Sequence, residues 1–169
     1  MSSPFRSLFE TPVGTLQLAV DPDGVLVEIL LPNRRPSEPE SQPSTLASAR
    51  TLRATQRQLN EYFRGKRPSF DLPLQASGSP FEQRVWSRLL EIPYGVTTSY
   101  GSIAIELGLT NGARAVGRAN GANPIPIVIP CHRVIGSDGQ LTGYGGGLAL
   151  KRTLLELEGA IAPPEPLLF

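Results

Sequence analysis

Apolar and polar positions alternate through the first thirty residues, which predicts strands at Phe5 to Phe9, Thr15 to Val20 and Val25 to Leu31. The turns between them, Thr11-Pro12-Val13-Gly14 and Asp21-Pro22-Asp23-Gly24, carry the proline and glycine that a reversal requires, so a β-meander is expected. Pro32 to Thr45 is dense in Pro, Ser, Arg and Glu and predicts a surface loop or a partly disordered one. From Leu46 to Arg64 the period becomes helical, with Leu52, Leu59, Tyr62 and Phe63 on the apolar side and Gly65 as the stop. Phe70 to Leu74 alternates again and predicts a strand.

Gln75-Ala76-Ser77-Gly78 has the composition of a linker and divides the chain into residues 1–76 and 77–169. The second unit opens on Ser79-Pro80-Phe81-Glu82, an N-cap serine, a first-turn proline and a capping-box glutamate. The helix that follows places Phe81, Val85 and Leu89 on one stripe beside Trp86 and Leu90, all expected in the core. After a turn at Ile92-Pro93-Tyr94-Gly95, Thr98-Ser99 caps a short helix over Tyr100 to Leu107, and a second runs from Ala113 to Gly121. Gly108 and Asn111-Gly112 separate the two, the outline of a helix-turn-helix.

The second of these helices is almost bare backbone, with Ala113, Ala115, Gly117, Ala119 and Gly121 among Arg114, Val116, Arg118 and Asn120. Helices that read the major groove carry several long polar side chains, whereas a smooth helix suits a shallow surface such as the minor groove. Tight packing on a neighbouring helix explains the same pattern. Asn123-Pro124 ends this helix, and Leu148 to Glu158 predicts a final one with Leu150, Leu154, Leu155 and Leu157 inward.

Composition narrows the chemistry. The 169 residues contain one cysteine and one histidine, and the net charge is +1. An intramolecular disulfide is impossible and a structural zinc site lacks ligands, so a reduced, metal-free, cofactor-free cytoplasmic protein is expected, with no membrane partner. Charge is less even locally: Tyr100 to Arg152 holds Arg114, Arg118, Arg133, Lys151 and Arg152 against Glu106 and Asp138, a surplus of three compatible with a nucleic-acid surface.

The lone Cys131 and lone His132 are adjacent, inside an apolar run, Ile127 to Ile135, that would otherwise be a buried strand. A free thiol is mostly protonated at neutral pH and needs a base, for which His132 is the candidate. On a strand the two side chains would face opposite ways, so cooperation requires a turn, which Pro130 favours, or a bridging water. Gly143-Tyr144-Gly145-Gly146-Gly147 lacks the spacing of a nucleotide-binding fingerprint and predicts a loop able to cover the thiol.

Ile129-Pro130-Cys131-His132-Arg133-Val134, with Ala113-Arg114-Ala115-Val116-Gly117 and Asn123-Pro124 before it and Gly143-Tyr144 and Leu155-Glu156-Leu157-Glu158-Gly159 after it, closely resembles the O6-alkylguanine-DNA alkyltransferases. The likeness is strongest from Ser79 to Gly159. It implies an α/β (α+β) chain: a small ribonuclease-H-like N-terminal domain, then a mostly helical domain with the helix-turn-helix. It also implies that Cys131 takes the alkyl group from guanine O6 in double-stranded DNA, approached from the minor groove, by a protein that is a monomer in solution and able to bind cooperatively along DNA.

By the same resemblance, His132 acts through a water and Glu158 orients its imidazole. Tyr100 and the Gly145 N–H serve the base, the Cys131 and Val134 carbonyls read its amino group, and Asn123 is a hinge. Arg114 fills the vacated base stack, with Ala113, Ala115, Gly117 and Arg118 lying along the DNA. Attack on an sp³ carbon leaves a thioether without a good leaving group, so the protein is expected to be consumed in one turnover. Some relatives carry a hydroxyl side chain where Gly145 stands, and others bind zinc through N-terminal residues this chain lacks. The competing readings are a lesion-binding signalling protein, which the presence of Cys131 disfavours, a cysteine hydrolase, and a transcription factor.

Overall fold

A computed structural model describes residues 3–35 and 40–165. Strands β1 (Phe5–Thr11), β2 (Gly14–Val20) and β3 (Leu26–Leu30) form an antiparallel sheet in that order, closed at the first turn by a pair between Thr11 and Gly14. A register shift opposite Ala19 and Val20 leaves Val27 unpaired, as a bulge in β3. Helix α1 (Leu46–Phe63) packs on β1 and β2, capped by Thr45 and Ser48. The sheet is therefore covered by α1 on one side, and β3 meets the second half of the chain through the Ile29 N–H, which donates to the Pro124 carbonyl at 2.9 Å.

Two expectations for this half change. The buried face of α1 includes Ser48, Thr51, Thr55 and Gln58 beside Leu59 and Tyr62, while Leu52 and Phe63 are only partly covered. Ser48 and Thr55 donate back to the Thr45 and Thr51 carbonyls, and the other two are satisfied across the interface: Thr51 donates to the Gly24 carbonyl, and Gln58 both donates to the Asp71 carbonyl and accepts from its N–H. The second change follows from this. Phe70 to Leu74 is not a strand, because Asp71 is bonded to α1 and Pro73 has no N–H; only Leu74 bridges to Leu26. Of the expected loop from Pro32 to Thr45, residues 36–39 lie outside the described residues; Glu40 and Ser41 bond to the outer edge of β1 at Leu8 and Arg6.

Helix α2 (Pro80–Leu89) carries the expected capping box between Ser79 and Glu82. Val85, Trp86 and Leu89 are core, Phe81 is partly covered, and Leu90, expected inside, is 49% exposed because it lies past the last turn, off the stripe. The Gln75–Gly78 connection is packed rather than loose: a Cβ on Gly78 would lie 2.3 Å from the Trp86 ring.

Then come the two-residue β4 (Thr98–Ser99), α3 (Tyr100–Glu106), α4 (Ala113–Gly121), a 3-10 turn (Cys131–Arg133), β5 (Val134–Ile135) and α5 (Leu148–Leu157). Strand β4 pairs parallel with β5, so Tyr100 follows directly from the strand held against the residues after Cys131. The buried stripe of α5 is Lys151, Leu154 and Leu155, continued by Glu158 at its cap; Leu150 and Leu157, expected inward, are half-buried flanks.

Candidate active site

The segment before Cys131 is wound, not extended. Asn123 donates from Nδ2 to the Ile129 carbonyl at 2.8 Å and accepts from the Ile125 N–H at 3.0 Å, closing the chain around Pro124 to Ile129. Ile127 sits at φ +73° within it, a conformation that costs a β-branched residue about 1–3 kcal/mol and persists because the surrounding bonds enforce it. Pro130 adopts φ −81° and ψ 65°, an inverse γ-turn whose bond runs from the Cys131 N–H to the Ile129 carbonyl. The 3-10 turn that follows takes the place of the strand alternation that would separate Cys131 from His132.

Cys131 is a free thiol at the floor of a cavity of about 1000 Å³. Burial pushes the thiol up to about 11, against the Asn123 side chain and the charge of Lys151, so it is protonated at neutral pH. His132 is wholly buried, and its Nε2 lies 2.7 Å from Glu158 Oε1. Burial holds the imidazole below its ordinary 6.5 although Glu158 pulls the other way. A carboxylate only accepts, so the Nε2 proton points at Glu158 and the neutral ring presents a bare Nδ1. That nitrogen is buried and has no protein partner among the described residues.

Glu158 is the hub. Oε1 accepts from Tyr62 Oη at 2.8 Å, from His132, and from Arg133 Nη2 at 2.9 Å, while Oε2 accepts from Arg133 Nε at 2.9 Å. Burial alone would raise the carboxyl, but the bonds and charges of His132 and Arg133 bring it down to about 2. Arg133 Nη1 also donates to the Ile92 carbonyl at 2.7 Å.

Lys151 is the second buried cation. Its Nζ donates to the carbonyls of Val134 at 2.5 Å, Thr142 at 2.8 Å and Gly143 at 3.4 Å, and lies 3.4 Å from the Tyr100 hydroxyl. Burial lowers its pKa to about 8. Tyr100 in turn donates to the Thr142 carbonyl at 2.9 Å. The local charge surplus read from the sequence is thus corrected: Arg133 and Lys151 face inward, and Arg114, Arg118 and Arg152 are the members on the surface.

The cavity has walls from both halves of the chain: Ile29 and Arg34, Tyr100, Arg114 and Gly117, and Gly145. Asn33 holds the glycine-rich loop to the N-terminal half by donating to the Gly145 carbonyl at 2.8 Å. On α4, Ala113, Arg114, Gly117 and Arg118 line this cavity, whereas Ala115 borders a separate groove with Phe81 and Glu82, a quarter-turn away. Asn120, Nδ2 to the Cys131 carbonyl at 3.2 Å, ties α4 to the thiol segment.

Of the expected site residues, Tyr100, Ala113, Arg114, Gly117, Arg118, Asn123, Cys131 and Gly145 line the cavity; His132 and Val134 sit beside Cys131 in the turn without lining it, Glu158 lies behind His132, and Ala115 borders the second groove. Sequence reasoning missed the roles of Tyr62, Asn120 and Lys151 and placed Arg133 on the surface. One signal was available for Lys151 and Glu158: with Leu154 and Leu155 they follow the spacing i, i+3, i+4, i+7, which puts two charges on an apolar stripe. Tyr62 left no signal, because a tyrosine on the apolar side of a helix reads as ordinary core.

A buried thiol, a neutral imidazole beside it in sequence and a carboxylate on the imidazole, at the floor of a cavity walled by a small-residue helix, form a candidate site for cysteine nucleophilic chemistry on a bulky substrate. Two family models match: the 6-O-methylguanine DNA methyltransferase ribonuclease-like domain over residues 5–76, and the DNA binding domain of the same family over residues 80–160. Methylated-DNA–protein-cysteine methyltransferases of Mycobacterium bovis and Methanosarcina acetivorans are 59% and 43% identical. The first match spans 66% of this chain and 68% of the relative, the second 92% and 99%. The crystal structure of Mycobacterium tuberculosis OGT in complex with DNA aligns over 90% of this chain and 91% of that one, at 46% identity and a TM-score of 0.80. The chain belongs to the 6-O-methylguanine DNA methyltransferase family. Its activity is that of a methylated-DNA–protein-cysteine S-methyltransferase, and its fold is the family's, a small N-terminal sheet domain followed by a helical one.

Proposed function

We propose that this protein repairs double-stranded DNA by flipping O6-alkylguanine into the cavity and moving the alkyl group irreversibly to Cys131 Sγ. The observation that carries the reading is the bare, buried Nδ1 of a neutral His132 whose other nitrogen is held by Glu158. A thiol at about 11 needs a base, and this nitrogen is the acceptor available. The Cys131 proton passes through a water to Nδ1, Sγ forms a bond to the alkyl carbon, and the carbon–O6 bond breaks with its electron pair going to guanine. The imidazolium formed is balanced by Glu158, whose own charge is already offset by Arg133.

The departing guanine needs donors in a dry site. Tyr100 Oη supplies one by exchanging its bond to Thr142, and the Gly145 N–H supplies the other at O6. The carbonyls of Cys131 and Val134 accept from the amino group. Asn123 fixes the turn that aims Cys131. On the DNA side, α3 and α4 act as a helix-turn-helix across the minor groove: Ala113, Ala115 and Gly117 permit close approach, Arg118 meets phosphate, and Arg114 occupies the gap left by the flipped base. Residues 1–76 and 77–169 form the two domains of this arrangement.

Intact-protein mass after incubation with duplex DNA carrying O6-methylguanine tests the reading. One methyl on Cys131, with stoichiometric loss of the lesion and no second turnover, is the expected result. An unmodified protein that holds the lesion tightly would assign it to signalling instead.

A further inference from the structure

Tyr62 is fully buried in α1, on the N-terminal side of the molecule, and the mechanism above makes no use of it. Its hydroxyl nevertheless reaches the oxygen that matters most. Glu158 Oε1 accepts from Tyr62 at 2.8 Å and from His132 Nε2 at 2.7 Å, so phenol and imidazole share one acceptor across 96 residues of sequence.

The placement is rigid. The Tyr62 ring meets Phe63 edge-on at 5.3 Å, Phe70 at 5.5 Å and Tyr94 edge-on at 6.3 Å, and Tyr94 itself lies beneath the Arg133 guanidinium at 5.8 Å. A ring held by three aromatic neighbours has no freedom to turn its hydroxyl away. A donor fixed on a carboxylate oxygen draws density from that oxygen and weakens its hold on every other donor.

We infer that Tyr62 is a positioning residue for alkyl transfer: its hydroxyl fixes Glu158 Oε1 and limits how strongly that oxygen retains the His132 proton. The N-terminal domain thereby takes part in the proton transfer as well as in walling the cavity. This inference rests on the proposed role of His132 as base. Removal of the hydroxyl leaves Glu158 a stronger acceptor, so imidazolium is favoured and His132 stops acting as a base at a higher pH than before.

The test compares wild type with Tyr62→Phe, which keeps the ring. His132 is the sole histidine of the chain, so its imidazole signals in NMR are unambiguous. Its titration should move up by about half a pH unit or more. The acid limb of Cys131 alkylation should move with it, for O6-benzylguanine and for iodoacetamide alike, with the plateau rate changed less than about threefold. A unchanged limb and an unchanged titration would reduce Tyr62 to a packing residue and overturn the inference. In a Glu158→Gln background, Tyr62→Phe should add nothing to the rate loss; additive losses would also overturn it.

Should Tyr62→Phe fail to fold, wild type labelled with 3-fluorotyrosine, a more acidic phenol and stronger donor, should shift the His132 titration downward; no shift would count against the inference. The two probes separate the readings. If O6-benzylguanine leaves wild-type Cys131 unmodified while the iodoacetamide limb still shifts, the proposed function fails and the role of Tyr62 stands.

Discussion

Lys151 Nζ lies 2.5 Å from the Val134 carbonyl and 2.8 Å from that of Thr142, so one side chain of α5 fastens both the strand after Cys131 and the loop beside the cavity. Removing the ammonium frees that loop and withdraws a donor from the buried Val134 carbonyl. Lys151→Met should slow alkyl transfer by about tenfold or more through misplacement of Tyr100 and Gly143, and amide exchange at residues 142–147 should accelerate. An unchanged single-turnover rate would show that the loop holds its place without the lysine.

Burial holds His132 below its ordinary 6.5, so the imidazole is neutral throughout the physiological range and available for the proposed role of base. The rate of Cys131 alkylation should hold level from neutral pH down to about 6.5 and decline only below that. His132→Ala should cost on the order of a hundredfold in the single-turnover rate, measured by mass.

The Glu158 carboxyl sits at about 2 in the folded protein against its unperturbed 4.5. A depressed folded pKa contributes stability that is complete above pH 4.5 and disappears as the pH falls toward 2. Glu158→Gln should flatten this part of the stability curve and lower stability at pH 7 by on the order of 3 kcal/mol, read by urea unfolding.

Arg114 is exposed beside the cavity on α4. If it fills the space of a flipped base, only duplex substrates need it. Arg114→Ala should therefore lose about tenfold or more in repair of duplex DNA while reacting with free O6-benzylguanine at close to the wild-type rate. Equal losses on both substrates would remove the finger role.

A cavity of about 1000 Å³ with a glycine at position 145 leaves room for more than a methyl group. O6-benzylguanine should react within about tenfold of the rate of the methylated free base. A much slower reaction, with methyl transfer intact, would show that the loop closes more tightly than its glycines suggest.

The chain's periodicities alone locate β1 to β3, α1, α2 and the helix pair, because capping residues and turn prolines act locally. The Ser79-Pro80-Phe81-Glu82 start of α2 is the plainest case, since both of its cap bonds form within four residues. Cys131 and His132 were equally legible as candidates: as single representatives of their types, side by side after a proline, they mark the candidate site in sequence. What the sequence left open depends on contacts between distant segments. Phe70 to Leu74 alternates like a strand, yet its hydrogen bonds go to Gln58, a partner that local pattern does not encode. Arg133 and Lys151 count as surface charges until the fold supplies Glu158 for one and three carbonyls for the other. Tyr62 meets Glu158 only when the sheet domain docks on the helical one, and burial then makes that shared oxygen matter, because a charge removed from water is set by the few donors around it.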